Sequence, residues 1–168
     1  MNIHITKFDI FWTKKVQSLP PKVAPLMKAA TVFGQPLNMG IIIALCGVLA
    51  LWQGLKEQVL FFSIVLVIIP LASVLKIWIH RARPATYTRT WMPSHSFPSG
   101  HAYSSLLVLG TVAYVNWSLP LLVFALLVSL LIGVSRIFRG AHYPTDVLGG
   151  WFFASIAFYF AVYFAGKI

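Results

Sequence analysis

Long stretches without a single charged residue alternate along this chain with short clusters that hold nearly all of its polar chemistry. Charge-free runs extend from Ala29 to Leu55, from Gln58 to Leu75, from Ala102 to Ser135 and from Val147 to Gly166. A helix crossing a bilayer needs about 20 mostly apolar residues, so three of these runs each suit one span. The run from Ala102 to Ser135 is too long for one helix. Near its middle, Asn116, Trp117, Ser118, Leu119 and Pro120 supply a polar break, an interfacial aromatic and a helix stop, which divides it into two spans joined by a tight turn. The pattern predicts spans at 37–55, 59–80, 100–117, 120–138 and 147–166. The expected fold is an all-α integral membrane helix bundle of about five transmembrane helices.

The opening residues follow a different pattern. Ile3, Ile5, Phe8, Ile10, Phe11 and Trp12 are mixed with Lys7, Lys14 and Lys15, and Lys22 and Lys28 follow the Pro20-Pro21 break. Lysines among bulky apolar and aromatic residues suit helices lying in the membrane interface; a solvated tail is the alternative. No long apolar stretch follows a basic start, so no cleavable signal peptide is expected. The chain divides into an interfacial amphipathic segment, 1–35, and a membrane-embedded domain, 36–168, with no linker or repeat between them.

Composition agrees with a bilayer: of 168 residues, 59% are hydrophobic and 10% charged, outside the range of ordinary soluble domains. Charge adds something new. Thirteen Lys and Arg stand against three acids, Asp9, Glu57 and Asp146, giving a formal net charge of +10. The partner should be anionic. Because the cations flank membrane spans and form no soluble basic domain, phosphate-bearing lipid headgroups fit better than nucleic acid. The lone Cys46, inside the first span, permits no internal disulfide.

If the spans alternate strictly, the ends of the second and fourth and the starts of the third and fifth emerge on one side of the membrane. The segments His80–His101 and Arg136–Asp146 then meet at one face, and every unusual residue lies in or beside them. The first group is Lys76, Arg83 and Pro84. Seven residues along a helix return to nearly the same face, so Lys76 and Arg83 would point together; alternatively both are snorkelling cations, the part assigned here to Arg81 and Arg89. The second group is Phe97, Pro98, Ser99, Gly100 and His101. With Ser96 as N-cap and Pro98 in the first turn, the amides of Ser99 and Gly100 would project from a helix N-terminus as an anion site. The Ser99 hydroxyl adds a donor there, and His101 is placed to protonate a leaving oxygen. A plain helix cap with an interfacial His is the other reading.

The third group is Ser135, Arg136, His142 and Asp146. Pro144 should open the last helix, leaving His142 in the loop before it and Asp146 in its first turn, close enough to pair. A carboxylate that holds one ring nitrogen fixes the tautomer and frees the other nitrogen's lone pair for attack. Arg136 would add a planar fork for phosphate oxygens. Otherwise Asp146 is a dipole partner for its helix and His142 a loop residue.

Taken together, Lys-x6-Arg-Pro (76–84), Pro-Ser-Gly-His (98–101) and Ser-Arg-x5-His-x3-Asp (135–146) resemble, in order and without departure, the signature of the type 2 phosphatidic acid phosphatase superfamily. The third string alone would arise by chance with odds on the order of one in a thousand at average composition. The resemblance implies a membrane lipid phosphatase in which Lys76, Arg83 and Arg136 hold the phosphate and Ser99 and the Gly100 amide complete its cradle. It further implies that His142 attacks phosphorus, Asp146 orients it, and His101 protonates the leaving oxygen and then activates water. No cofactor is implied. Independently, hard cations need several oxygen ligands, and with Asp146 the single acid expected near the site, no metal is expected either.

Two other classes use the same residue types. An anion transporter would bind its solute between helices with them, but does not require a His142–Asp146 pair. A lipid phosphotransferase would share the phosphohistidine and pass its phosphate to an acceptor other than water. Phosphatidate, phosphatidylglycerophosphate, undecaprenyl diphosphate and the phosphate of lipid A all suit as substrates. The resemblance places the site on the outer face of a bacterial inner (plasma) membrane. Counting Lys7, Lys14, Lys15, Lys22, Lys28, Arg81, Arg89 and Arg139 on the site side against Lys56 and Lys167 opposite points to the cytoplasm. The outer face is preferred, because basic in-plane helices bind either leaflet.

Overall fold

The computed structural model describes residues 4–85 and 95–166, and every regular element among them is helical. Arg89 and Lys167, both counted above, and Ile3 lie outside the described residues. In chain order the helices are α1 (Lys7–Gln17), a short 3-10 turn (Pro21–Val23), α2 (Ala24–Phe33), α3 (Pro36–Trp52), α4 (Lys56–Ile68), α5 (Leu71–Trp78), α6 (Gly100–Val115), α7 (Leu119–Phe138) and α8 (Pro144–Ala165).

The all-helical bundle is as expected, and its spans are unequal in length. Lys56–Trp78, Leu119–Phe138 and Pro144–Ala165 are long and apolar enough to cross a membrane, and α2 and α3, bent by 54° where they meet, add a fourth crossing if they act as one span. The helix α6, at 16 residues, falls short by length, and α3 alone has 17. Both nevertheless take the places in the bundle predicted for the first and third spans. The second span is broken at Pro70, which lacks an amide to donate and separates α4 from α5. At that break the Ile68 carbonyl accepts a hydrogen bond from the Tyr103 hydroxyl at 2.9 Å, so a backbone group far from water keeps a partner.

The interior is built on α6, with Tyr103, Leu107 and Val108 buried against Met39 and Ile43 of α3, Phe61, Phe62 and Val65 of α4, and Ala154, Ala157 and Ala161 of α8. That alanine stripe recurs on one face of α8 and allows close helix approach, as small residues do at helix interfaces in lipid. Outward faces are equally apolar: Leu45, Leu49, Val67, Phe124, Leu127, Phe152 and Phe160 are all exposed, as lipid-facing residues are. Inside the bundle Ser129 takes contacts from Ser105 (3.0 Å) and from the Trp151 indole (3.0 Å). An apolar cavity of about 540 Å³ between α6, α7 and α8, lined by Leu106, Tyr114, Leu122 and Phe158 among others, lies toward the α6–α7 turn.

Near the other end, α8 approaches the start of α6 so closely that a Cβ at Gly150 would stand 2.6 Å from the Ser99 carbonyl oxygen and 3.2 Å from the Tyr103 amide. Both are backbone atoms and cannot swing aside. Gly150→Ala should therefore separate the two helices, lowering stability by about 1–3 kcal/mol; a thermal midpoint in detergent equal to that of the wild type would contradict this packing.

Candidate active site

Three chain segments converge where α5 and α7 end and α6 and α8 begin. The chain after α5 does not continue as a helix to Arg83; the helix stops at Trp78, and Ile79 is already extended. Pro84 disfavours helical geometry at Arg83, so the two-turn spacing expected for Lys76 and Arg83 does not apply. Arg83 reaches the site from an extended segment, where its Nη1 donates to the Ala141 carbonyl at 2.6 Å and lies 3.5 Å from His142 Nε2.

The Pro-Ser-Gly-His turn is tied to both neighbours through backbone groups. The Ser96 amide donates to the Arg81 carbonyl (2.8 Å) and its hydroxyl to the Ala82 carbonyl (3.1 Å), while the Ser99 amide donates to the Asp146 carbonyl (2.8 Å). These contacts correct the expected capping. Ser99, not Ser96, is the N-cap of α6, accepting from the Ala102 amide at 3.5 Å, and Ser99 is fully buried. Its amide is thus engaged with α8 and is not open to an anion. The free N-terminal amides of α6 begin at Gly100, which opens the helix with His101 directly behind it.

The loop that carries His142 starts at Gly140, whose φ of 65° lies in the left-handed region that lets the chain leave α7 sharply. Arg136, in the last turn of α7, is buried, as is His142. Pro144 opens α8 as expected, and the Tyr143 amide donates to Asp146 Oδ2 at 2.8 Å. The His142 Nδ1 faces the same carboxylate oxygen at 3.6 Å, beyond ordinary hydrogen-bond length, and makes no other hydrogen bond among the described residues. Such contacts are often long in a ligand-free site and tighten around a substrate. One ring nitrogen therefore faces an acid and the other a guanidinium. Ser135 turns away from the site, its hydroxyl 2.9 Å from that of Thr31 in α2.

The expected role of Arg81 is wrong. It is 1% exposed and does not face headgroups. Its guanidinium is shared between two carboxylates, Nη2 donating to Asp9 Oδ2 at 2.6 Å and Nη1 to Asp146 Oδ1. Asp9, from α1, is fully buried and also accepts from the Thr145 amide (3.1 Å) and hydroxyl (2.7 Å). Asp146 is thus not the single acid near the site. A sign was present in the sequence: Thr6 and Asp9 have the spacing of a capping box, and Asp9 is one of only three acids in a strongly basic chain.

Burial acts first on His142, and the positive charges of Lys76, Arg83 and Arg136 add to it, holding the imidazole well below its ordinary value of 6.5 although the Ser96 backbone opposes them. Both effects favour the uncharged form of the ring. Burial works against the charge of Asp9, but the Thr145 hydroxyl and amide, Thr6 and Arg81 outweigh it and leave that carboxyl below its usual range.

Residues 57–168 match the model of the PAP2 superfamily, and the chain belongs to that family. Phosphatidylglycerophosphatase B of Bacillus subtilis (strain 168) is 35% identical over 126 residues, which cover 70% of this chain and 60% of that protein. The solved transmembrane PAP2 type phosphatidylglycerolphosphate phosphatase from Bacillus subtilis superimposes with a TM-score of 0.72 at 28% identity, over 95% of this chain and 85% of that one. The structure of Aquifex aeolicus LpxE shares the fold, with a TM-score of 0.77 at 18% identity, over 97% of this chain and 99% of its own.

Because the folded His142 resists protonation while an unfolded imidazole takes a proton near pH 6.5, the unfolded state binds more protons below that pH. This residue therefore lowers stability as pH falls through the window beneath 6.5. In nitrogen NMR of the detergent-solubilised protein, the His142 ring should stay neutral at pH 6.5 and titrate at higher pH in Arg83→Gln than in the wild type. Half-protonation at or above pH 6.5 in the wild type would contradict the site's electrostatics.

Proposed function

We propose that this protein is an integral membrane phosphatase that hydrolyses a lipid phosphate or lipid diphosphate through a phosphohistidine on His142, without a metal ion. The observation that carries the reading is the position of the His142 ring, with Nδ1 toward Asp146 and Nε2 toward Arg83. A proton on Nδ1 leaves the Nε2 lone pair pointed at the cations that would hold a phosphate.

In this scheme Lys76, Arg83 and Arg136 bind the non-bridging phosphate oxygens, with the Gly100 amide at the start of α6 as a further donor. Ser99 supports this cradle by fixing the start of α6 against α8 more than by binding the anion, since its amide is taken by Asp146. Nε2 of His142 attacks in line, the N–P bond forms as the P–O bond to the lipid breaks, and the departing oxygen takes a proton from His101, which enters the step as the cation held by the negative charge of the bound phosphate. Neutral His101 then draws a proton from water, whose oxygen displaces Nε2 and releases phosphate. Fixed cations suit the charge that builds on the equatorial oxygens.

The substrates proposed are phosphatidate, phosphatidylglycerophosphate, undecaprenyl diphosphate and the phosphate of lipid A, with phosphatidylglycerophosphate favoured by the names of the Bacillus relatives. The helix α1 is proposed to lie in the interface: it turns Asp9 and Thr13 inward and leaves Phe8, Phe11 and Trp12 exposed beside Lys14 and Lys15. The site is proposed to face outward from a bacterial inner membrane. Burial of Arg81 removes one cation from the count that argued for the cytoplasmic side.

Purified protein should release phosphate from at least one of these lipids. His142→Ala should abolish turnover while the protein still inserts, and Asp146→Asn should reduce kcat on the order of 10²–10⁴-fold. Labelled phosphate trapped on the protein should survive alkali and be lost in acid; the reverse stability would rule out a phosphoramidate. In a Cys46-free background, Arg139→Cys should react with an impermeant thiol reagent added outside intact cells, and protection there would reverse the orientation.

A further inference from the structure

A buried chain of charges joins the N-terminal helix to the residues around His142. Asp9 lies 72 positions before Arg81 and 136 before Thr145, yet it holds both. Its Oδ2 accepts from the Thr6 amide (3.2 Å), the Thr6 hydroxyl (2.9 Å) and Arg81 Nη2 (2.6 Å), while Oδ1 accepts the amide and hydroxyl of Thr145. The guanidinium of Arg81 donates onward from Nη1 to Thr145 Oγ1 (2.7 Å) and to Asp146 Oδ1, and from Nη2 to the His4 carbonyl (3.3 Å). Its carbon lies 4.9 Å from the centre of the Tyr143 ring. Asp9, Arg81 and Asp146 are each 1% exposed or less.

This arrangement exceeds what anchoring a helix requires. A guanidinium offers a fork that fits a carboxylate with two parallel bonds. Were Asp146 the one acid available to Arg81, the fork would engage both of its oxygens. Asp9 occupies the other branch, so Arg81 bonds Asp146 through Oδ1 alone and Oδ2 remains turned to His142 Nδ1 and the Tyr143 amide.

We infer that Asp9 is a positioning residue for the reaction: by taking half of the Arg81 guanidinium it keeps the Asp146 carboxylate directed at His142, and so makes the alignment of the nucleophile depend on α1. The inference rests on the phosphatase reading for its kinetic test but not for its spectroscopic one.

Asp9→Asn keeps the shape and removes the charge. Its kcat should fall about 10- to 100-fold, as when a residue that orients a catalytic ligand is lost, with KM changed less than about threefold and formation of the trapped phosphohistidine slowed in parallel. In the Asp146→Asn background the same substitution should cost less than about twofold, because it acts through Asp146. Met27→Ala, which removes buried packing in α2 away from the charges, provides the comparison at similar loss of stability and should leave kcat unchanged.

If Asp9→Asn does not fold, Asp9→Glu, which retains the charge but displaces it, is read in the same way. Nitrogen NMR of the His142 ring with inorganic phosphate bound, which needs no turnover, should show an Nδ1 proton hydrogen-bonded to Asp146 in the wild type and that bond weakened in either variant. Wild-type kcat in the variant, additive losses in the double variant, or an unchanged His142 spectrum would each overturn the inference. Failure of the wild type to release phosphate from any lipid overturns the proposed function instead and leaves the spectroscopic result to decide the role of Asp9.

Discussion

A charge carried into a helix bundle is stable only where opposite charge and hydrogen-bond donors replace the water it has lost, and the arrangement of this protein's polar end follows from that constraint. Arg81 is enclosed because two carboxylates and a threonine meet it from separate helices. Asp146 is enclosed because Arg81 and the Tyr143 amide meet it. His142 has no full counter-charge of its own; burial and three nearby cations hold it toward its uncharged form, the form that the role proposed for it requires.

The geometry also depends on links that involve no side chain. The Ser99 amide to Asp146 carbonyl bond and the bare Cα of Gly150 bring α6 and α8 together independently of the reactive groups, and the Ser96 amide joins the same turn to Arg81. The phosphate-binding and attacking groups proposed here thus project from helix ends and from short segments held between them. A site in which a ring must align within a fraction of an ångström needs this kind of support.

Much of the architecture was legible because lipid imposes simple rules: runs without charge became helices, Asn116, Trp117 and Ser118 became a turn with Leu119 and Pro120 opening the next helix, and Pro144 began the final helix. Where two rules competed, the reading failed. Ser96 and Ser99 are both plausible caps, and the turn before α6 decides between them through contacts with Arg81 and Asp146 that local spacing does not contain. Arg83 was placed on a helix although the proline after it argued against helical geometry there. Arg81 was read as a headgroup cation because nothing near it in sequence is acidic; its partners lie 72 and 65 positions away. That His142 and Asp146 would lie beside each other was legible because one loop and one helix start fix their spacing.

The length of α6 bears on how a lipid would reach this site. At about 1.5 Å per residue its 16 residues cover roughly 24 Å, against about 30 Å for the hydrocarbon layer. A bundle centred on so short a helix must set its polar mouth beneath the phosphate plane or draw that plane inward, because mismatch is relieved by deformation of one or the other. In either case the phosphate of a lipid would descend only a short way to meet the start of α6 while its acyl chains stay immersed, so the activity proposed above would not require pulling a lipid out of the bilayer.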